Sequence, residues 1–206
     1  MNGPETVPTI DPNEIGPEAC YKLASGLIVP RPIGWIGSTG PHGHNLAPYS
    51  FFNMVSGAPP TVIFSTGLVE GSEKDTLANV RATGEFTVNI VSEDLAPAMN
   101  ATSAAVARDV DEFELAGLTA VPGDMVSAPR VGEARASLEC VANNFVPVGT
   151  PPRGNVVVFG EIVLFHVADG VVDGTRVDLD ALAPVGRTSG PGYVRTRDRF
   201  EMLRPS

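Results

Sequence analysis

Turn chemistry constrains this chain before anything else does. Twenty-two glycines and 19 prolines supply corners along its 206 residues, and short β-branched or aromatic runs lie between them. Thr61–Thr66 (TVIFST) follows Ala58-Pro59-Pro60, which fits a strand start. Glu85–Val91 alternates Phe86, Val88 and Ile90 against Thr87 and Asn89, the period of a half-buried strand. Glu133–Ala142 alternates Ala134, Ala136, Leu138, Cys140 and Ala142 against Arg135, Ser137 and Glu139. Asn155–Val167 is apolar on nearly both faces and reads as a long central strand, with Gly160 marking a bulge or bend.

Helix signals are fewer. Lys74–Gly84 carries Asp75 as an N-cap, Leu77 and Val80 at helical spacing, and Gly84 where a C-terminal glycine sits. Ser92 followed by two acids opens another helix, restricted by Pro97, and Arg108–Leu118 reads as a short helix or an irregular loop. Strand–helix alternation is not sustained, which disfavours a doubly wound sheet. The pattern predicts a mainly β chain: an antiparallel barrel with small helical insertions. No composition break marks a linker. The expected organisation is an N-terminal arm over residues 1–20 and one domain over 21–206.

Bulk composition narrows the function classes. Hydrophobic residues make up 43% and charged residues 18%, a globular balance. No window approaches 18 consecutive apolar residues, so no membrane span is expected. The N-terminal stretch has neither a basic region nor an apolar one, which argues against a secretory signal. Cys20 and Cys140 lie far apart and form no CxxC, so reduced thiols and a cytoplasmic location are expected. The net charge of −10 argues against nucleic-acid partners and anionic membranes. An anionic ligand would therefore sit where one of the 14 Lys and Arg residues is placed.

Two stretches carry chemistry. In Pro30–Phe52, Ile33–Thr39 reads as a strand, Gly40–Asn45 as a hairpin loop and the run from Leu46 as the return strand. Gly34, Gly37 and Ala47 are small enough to let a planar ligand approach the main chain. A glycine-rich hairpin in a barrel wall has the same composition. In the second stretch, Lys74 precedes a helix start at Asp75 or Thr76, and it is the only lysine after Lys22. A helix start with a flanking lysine suits a phosphate, and equally a solvent-exposed cap. His42 and His44 lack a third partner for a metal and read as a solvated turn. Arg195, Arg197 and Arg199 read as an exposed strand face with salt bridges. Glu93-Asp94 and Asp111-Glu112 read as helix-start acids. Cys140 reads as core. Gly34, Gly37 and Gly40 have the wrong spacing for a Rossmann nicotinamide site.

Taken in order, these residues resemble the flavin reductase-like family with its FMN-binding split barrel, especially the flavoredoxin-like branch. The resemblance is carried by Pro30-Arg31-Pro32-Ile33, Ser38-Thr39, Asn45-Leu46-Ala47-Pro48-Tyr49-Ser50, Pro59-Pro60, Lys74-Asp75-Thr76, and Gly84-Glu85-Phe86 leading to Asn89. The later segments Asn155–Val172 and Pro184–Pro205 extend it to nearly the whole chain from about Tyr21. It implies a Greek-key split β-barrel with short peripheral helices, a homodimer with sites near the subunit interface, and non-covalent FMN. The implied ring site lies on Trp35–Ser38 and Asn45–Ser50, with Thr39 beside it. Within it, Asn45, Leu46, Ala47 and Ser50 meet the flavin or its ribityl chain, mostly through backbone groups. Lys74, Asp75 and Thr76 match the segment near the phosphate. Arg31 matches a second phosphate or nicotinamide position, and Arg187 a position near the ligand.

One departure stands out. Many two-component reductases carry Gly-Asp-His, thought to meet NAD(P)H, where this chain reads Phe165-His166-Val167-Ala168-Asp169-Gly170. The donor is therefore NADH, NADPH or a protein. The expected function is an FMN oxidoreductase passing reducing equivalents to a small acceptor, a partner oxygenase or an electron-transfer protein. The flavin carries the chemistry, and no catalytic side chain or metal is required. The alternatives are a flavin-binding module without turnover and a barrel that binds no flavin and serves as an interaction scaffold.

Overall fold

The computed structural model describes residues 8–205. Residues 1–7 of the expected arm, and Ser206, lie outside the described residues. Helix α1 (Pro12–Leu27) leads into strand β1 (Arg31–Pro32). The hairpin β2 (Gly34–Gly40) and β3 (Gly43–Tyr49) follows, then the hairpin β4 (Phe52–Gly57) and β5 (Pro60–Gly67). Helix α2 (Asp75–Thr83) and β6 (Glu85–Ile90) come next. An excursion then holds a short 3-10 turn, α3 (Ala96–Ala101), α4 (Glu112–Leu115), and strands β7 (Ala120–Val121) and β8 (Arg130–Val131). The two longest strands are β9 (Ala136–Val148) and β10 (Asn155–Val167). The closing segment carries β11 (Val172–Asp173), β12 (Arg176–Val177), α5 (Leu179–Leu182), β13 (Val185–Arg187) and β14 (Tyr193–Arg195). The boundary expected between residues 20 and 21 falls inside α1.

Seven strands form one antiparallel sheet in the order β3-β2-β6-β9-β10-β5-β4. Its two edges, β3 and β4, are consecutive in the chain yet do not pair. The sheet curls until Tyr49 of β3 meets Phe64 of β5, with ring centroids 5.2 Å apart, and Phe64 meets Phe86 of β6 at the same distance. The barrel is thus split between its edge strands, and a core of Ile36, Tyr49, Phe64, Phe86, Val88 and Val158 fills it. β6 returns beside β2 rather than beside β5, a Greek-key connection. A second core lies outside the sheet. Ile33, Trp35 and Leu46 pack there against Met99, Phe113, Val131 and Val185 from the helical excursion and the closing segment. β2 is buried on both faces, so Ile36 points into the barrel while Trp35 points into the outer core.

Local sequence explains most elements. Gly160 coincides with a register shift against β9, and a Cβ there would lie 2.3 Å from Phe86 Cζ, so only glycine leaves room for that ring. α2 ends on Gly84, which is left-handed at φ 72. It starts one residue before the expected cap: Lys74 occupies the N-cap position, and Asp75 is the first helical residue. The Asp75 carboxylate turns to Arg108 instead of capping. The first hairpin is also tighter than expected. Its ladder runs to Gly40 opposite Gly43, so the turn is Pro41-His42, and Gly43 takes φ 78.

Candidate functional site

β3 is an edge strand, so alternate backbone groups face away from β2. The Leu46 N–H is one of these, and it donates to Glu112 Oε2 at 3.0 Å. Pro48 has the same parity and no N–H, so its place on the edge leaves no donor unpaired. Pro48 stands between two open cavities, of about 770 and 710 Å³, and both it and Ser103 line the two. The cavities therefore form one groove along the outside of β3.

The second cavity is built at the start of α2. The first α2 residues whose amides find a helical acceptor begin with Ala78, which donates to Lys74 O. The amides of residues 75–77 precede it, an anion-binding arrangement. Lys74 is exposed and has no carboxylate partner among the described residues. Arg108 crosses the same end of the cavity. Its Nη2 donates to Glu73 O at 2.9 Å, and its Nη1 lies 3.0 Å from His42 Nε2 and 3.1 Å from Asp75 Oδ1. That Asp75 oxygen is buried, and despite the ion-pair distance no donor among the described residues is aligned on it as a hydrogen bond.

A buried polar chain forms the floor. Tyr49 OH donates to Thr76 Oγ1 at 2.9 Å, and Thr76 Oγ1 donates to Asn45 Oδ1. Asn45 Nδ2 then donates to both Glu112 oxygens, at 2.9 and 3.0 Å. Burial pushes the Tyr49 hydroxyl above its ordinary pKa. Burial also pushes the Glu112 carboxyl up, outweighing its bonds from Leu46 and Asn45, and the nearby Asp75 charge adds to the rise.

The first cavity lies between α1, β3 and the closing segment. Arg187 lines it, with its guanidinium 4.6 Å above the Tyr193 ring and a bond to Gly190 O, and with no carboxylate partner among the described residues. Arg31 also lines it but is only 8% exposed. Its guanidinium donates to the carbonyls of Ser25, Ile28 (2.7 Å) and Thr188 (3.1 Å), tying the end of α1 to the closing segment. Ser50 Oγ sits 3.4 Å from Arg31 Nε.

Of the residues singled out in the sequence, Asn45, Ala47, Lys74, Asp75 and Thr76 gather on the second cavity and Arg31, Ser50 and Arg187 on the first. Trp35, Ser38, Thr39 and Leu46 line neither. Trp35 is fully buried and donates its indole N–H to Thr102 Oγ1 at 2.9 Å. Ser38 is buried beneath α2, 3.5 Å from Asn79 Nδ2, and Thr39 Oγ1 lies 3.2 Å from His44 Nδ1. Gly34 and Gly37 serve packing rather than ligand approach. A Cβ on Gly34 would lie 2.6 Å from the Phe52 ring, and one on Gly37 would lie 2.3 Å from Pro129 O.

Arg108, Thr102, Ser103 and Glu112 were not anticipated as cavity residues. Asp111 does cap α4, accepting from Phe113 N at 2.8 Å. Glu112 shares its helix-start appearance but is buried, and only the approach of α4 to β3 reveals this.

The other charged candidates resolve into contacts away from the groove. Arg195 and Arg197 both pair with Glu93, and Arg199 pairs with Asp180. His166 Nε2 sits 2.6 Å from the fully buried Glu139, which also accepts from the N–H groups of Asp124, Met125 and Val126. Burial alone would raise the Glu139 carboxyl, but these donors outweigh it and hold it below the usual carboxylate range. Asp124 lies beside this pair, yet both Glu139 oxygens are already engaged. Cys20 and Cys140 are free thiols, and burial pushes the Cys140 thiol far up, which makes it unreactive.

Residues 26–181 match the model of the flavin reductase like domain. Among solved structures, the nitrilotriacetate monooxygenase component B of Bacillus cereus is 35% identical and superposes with a TM-score of 0.93, covering 96% of this chain and all of that one. The 2-nitrobenzoate 2-nitroreductase NbaA of Pseudomonas fluorescens is 30% identical with a TM-score of 0.87, covering 97% of each chain. The flavoredoxin of Desulfovibrio vulgaris shares the fold at 21% identity, with a TM-score of 0.68 over 86% of this chain and 91% of that one.

Proposed function

The chain belongs to the flavin reductase-like family, and from that premise we propose that it is an FMN-dependent oxidoreductase whose cofactor lies in the groove along β3. One observation carries the reading: an acidic protein places Lys74, Arg108 and the open amides of α2 together at one end of that groove. A dianionic phosphate fits those donors. The buried, unaligned Asp75 oxygen is an acceptor suited to a ribityl hydroxyl. Ala47, Thr102 and Ser103 are small enough to leave the groove open beside Pro48.

When bound, the flavin supplies the electron-transfer chemistry itself. The protein's part is to hold and orient it. Lys74 and Arg108 neutralise the phosphate. The Tyr49–Thr76–Asn45–Glu112 chain keeps the edge of β3 rigid. Arg187, over Tyr193, leaves an uncompensated cation in the first cavity, which suits an anionic reductant such as NADH or NADPH. His166 takes no part, because Glu139 holds it elsewhere.

A partner oxygenase as acceptor is supported by the likeness to a monooxygenase component B. We extend the reading to a homodimer working in the cytoplasm. Exposed Met54 and Val55 on the edge strand β4, and Phe165 on β10, support the dimer.

The test begins with FMN titrated into the protein while the fluorescence of Trp35, the single tryptophan, is followed. Quenching and a yellow protein are expected. A colourless protein with unchanged fluorescence overturns the flavin reading. Oxidation of NADH and of NADPH by the loaded protein follows. Binding without turnover on either would favour a flavin-binding module, or a protein donor if an added reduced ferredoxin-type protein bleaches the flavin.

A further inference from the structure

Glu112 is the least expected group in the groove. It is a carboxylate only 6% exposed, it lines the second cavity, and no cation lies within ion-pair distance of it among the described residues. Of the two cations that line this cavity, Lys74 makes no ion pair with Glu112, and Arg108 is engaged by Asp75, the Glu73 carbonyl and His42 instead. The fold does not need its charge. What Glu112 does structurally is accept from Leu46 N and Asn45 Nδ2, and a neutral amide oxygen accepts as well. Burial of the ionised form outweighs those bonds, so the charge itself opposes folding. A charge that destabilises the fold and faces a binding cavity marks a functional group.

We propose that Glu112 sets the electron affinity of the flavin held in the second cavity, its carboxylate in the ionised form weakening the binding of reduced flavin relative to oxidised flavin. The inference rests on the flavin reading above. Two-electron reduction of FMN consumes two electrons and one proton and leaves the ring with one more negative charge at neutral pH. An uncompensated carboxylate in the cavity wall opposes that added charge and not the neutral oxidised ring. The protein would then hold its reduced flavin at low potential and release it readily, as delivery to a separate acceptor requires.

The experiment compares dissociation constants for oxidised FMN and for chemically reduced FMN under anaerobic conditions, read from Trp35 fluorescence, in the wild type, Glu112→Gln and Glu112→Met. The first variant keeps an acceptor for Leu46 N, and the second fills the space with an apolar chain. Neutralising the charge is expected to tighten reduced FMN about tenfold relative to oxidised FMN, which raises the midpoint potential of the bound flavin by about 30 mV for a two-electron couple. Dye-equilibrated potentials supply the independent readout. If the wild type binds no FMN, the flavin reading fails. If the wild type binds FMN and folded variants keep the wild-type ratio, the role of Glu112 fails and the flavin reading stands. Equal weakening of both redox states, or failure of both variants to fold, assigns the carboxylate a structural role and overturns the proposal.

Discussion

Thr76→Val tests whether the polar floor of the groove is a single connected unit. Thr76 is 1% exposed, and valine matches its shape while removing the hydroxyl. Two buried partners are affected. Among the described residues Asn45 Oδ1 has Thr76 as its only donor, so it is left unsatisfied at a cost of about 1–3 kcal/mol. Tyr49 OH has an alternative. Thr66 Oγ1 is buried, has no hydrogen-bond partner among the described residues and is close enough to influence the Tyr49 hydroxyl, so the phenol can turn to it. The expected loss is therefore about 2 kcal/mol rather than twice that, with a fall in Tm of about 4–8 °C for a chain of this size. Urea unfolding read by circular dichroism measures it, with Thr76→Ser, which restores the hydroxyl, as the control. A Thr76→Val stability within about 0.5 kcal/mol of wild type would refute the connected floor. So would Thr76→Ser being equally damaging.

Lys74→Ala should weaken FMN about tenfold while leaving riboflavin, which lacks the phosphate, unchanged. Isothermal titration of both ligands checks this, and the FMN effect should shrink at high salt. Gly160→Ala should destabilise by about 1–3 kcal/mol, because its Cβ would lie 2.3 Å from Phe86 Cζ. Adding Phe86→Leu should recover part of the loss in thermal unfolding. For Glu139, whose folded pKa is held below the ordinary 4.5, the stabilisation is complete above that value and is lost as pH falls through the folded one. Acid unfolding should therefore be steeper in the wild type than in Glu139→Gln, measured as urea midpoints across the acidic range.

Much of the barrel was legible in the residues. Alternation in Glu85–Val91, the two-sided apolar run of Asn155–Val167 and the capping glycine Gly84 each report a local preference, and each appears as an element. The kink at Gly160 was legible too, though its reason, the Phe86 ring, was not. Part of the candidate site was readable as a cluster, because Lys74, Asp75 and Thr76 are neighbours in sequence and a helix start brings them to one cavity. Trp35 misled for the opposite reason. The resemblance put it in the implied ring site, whereas β2 is covered on both sides and the indole belongs to the outer core. Arg31 likewise carried a charge suited to an anion, but its guanidinium meets backbone carbonyls of Ser25, Ile28 and Thr188.

The sequence by itself determined the strands, their punctuation and the cation at the α2 start, since these follow from side-chain period, backbone freedom and spacing along a few residues. Only the tertiary structure decided which charges face the groove. Arg108 and Glu112 reach it from a segment that crosses β3 some 60 residues downstream of Asn45–Leu46, as the separations of 66 and 67 positions record. Whether a carboxylate caps a helix in water or lies buried against a strand edge depends on what packs over it, and no local pattern encodes that.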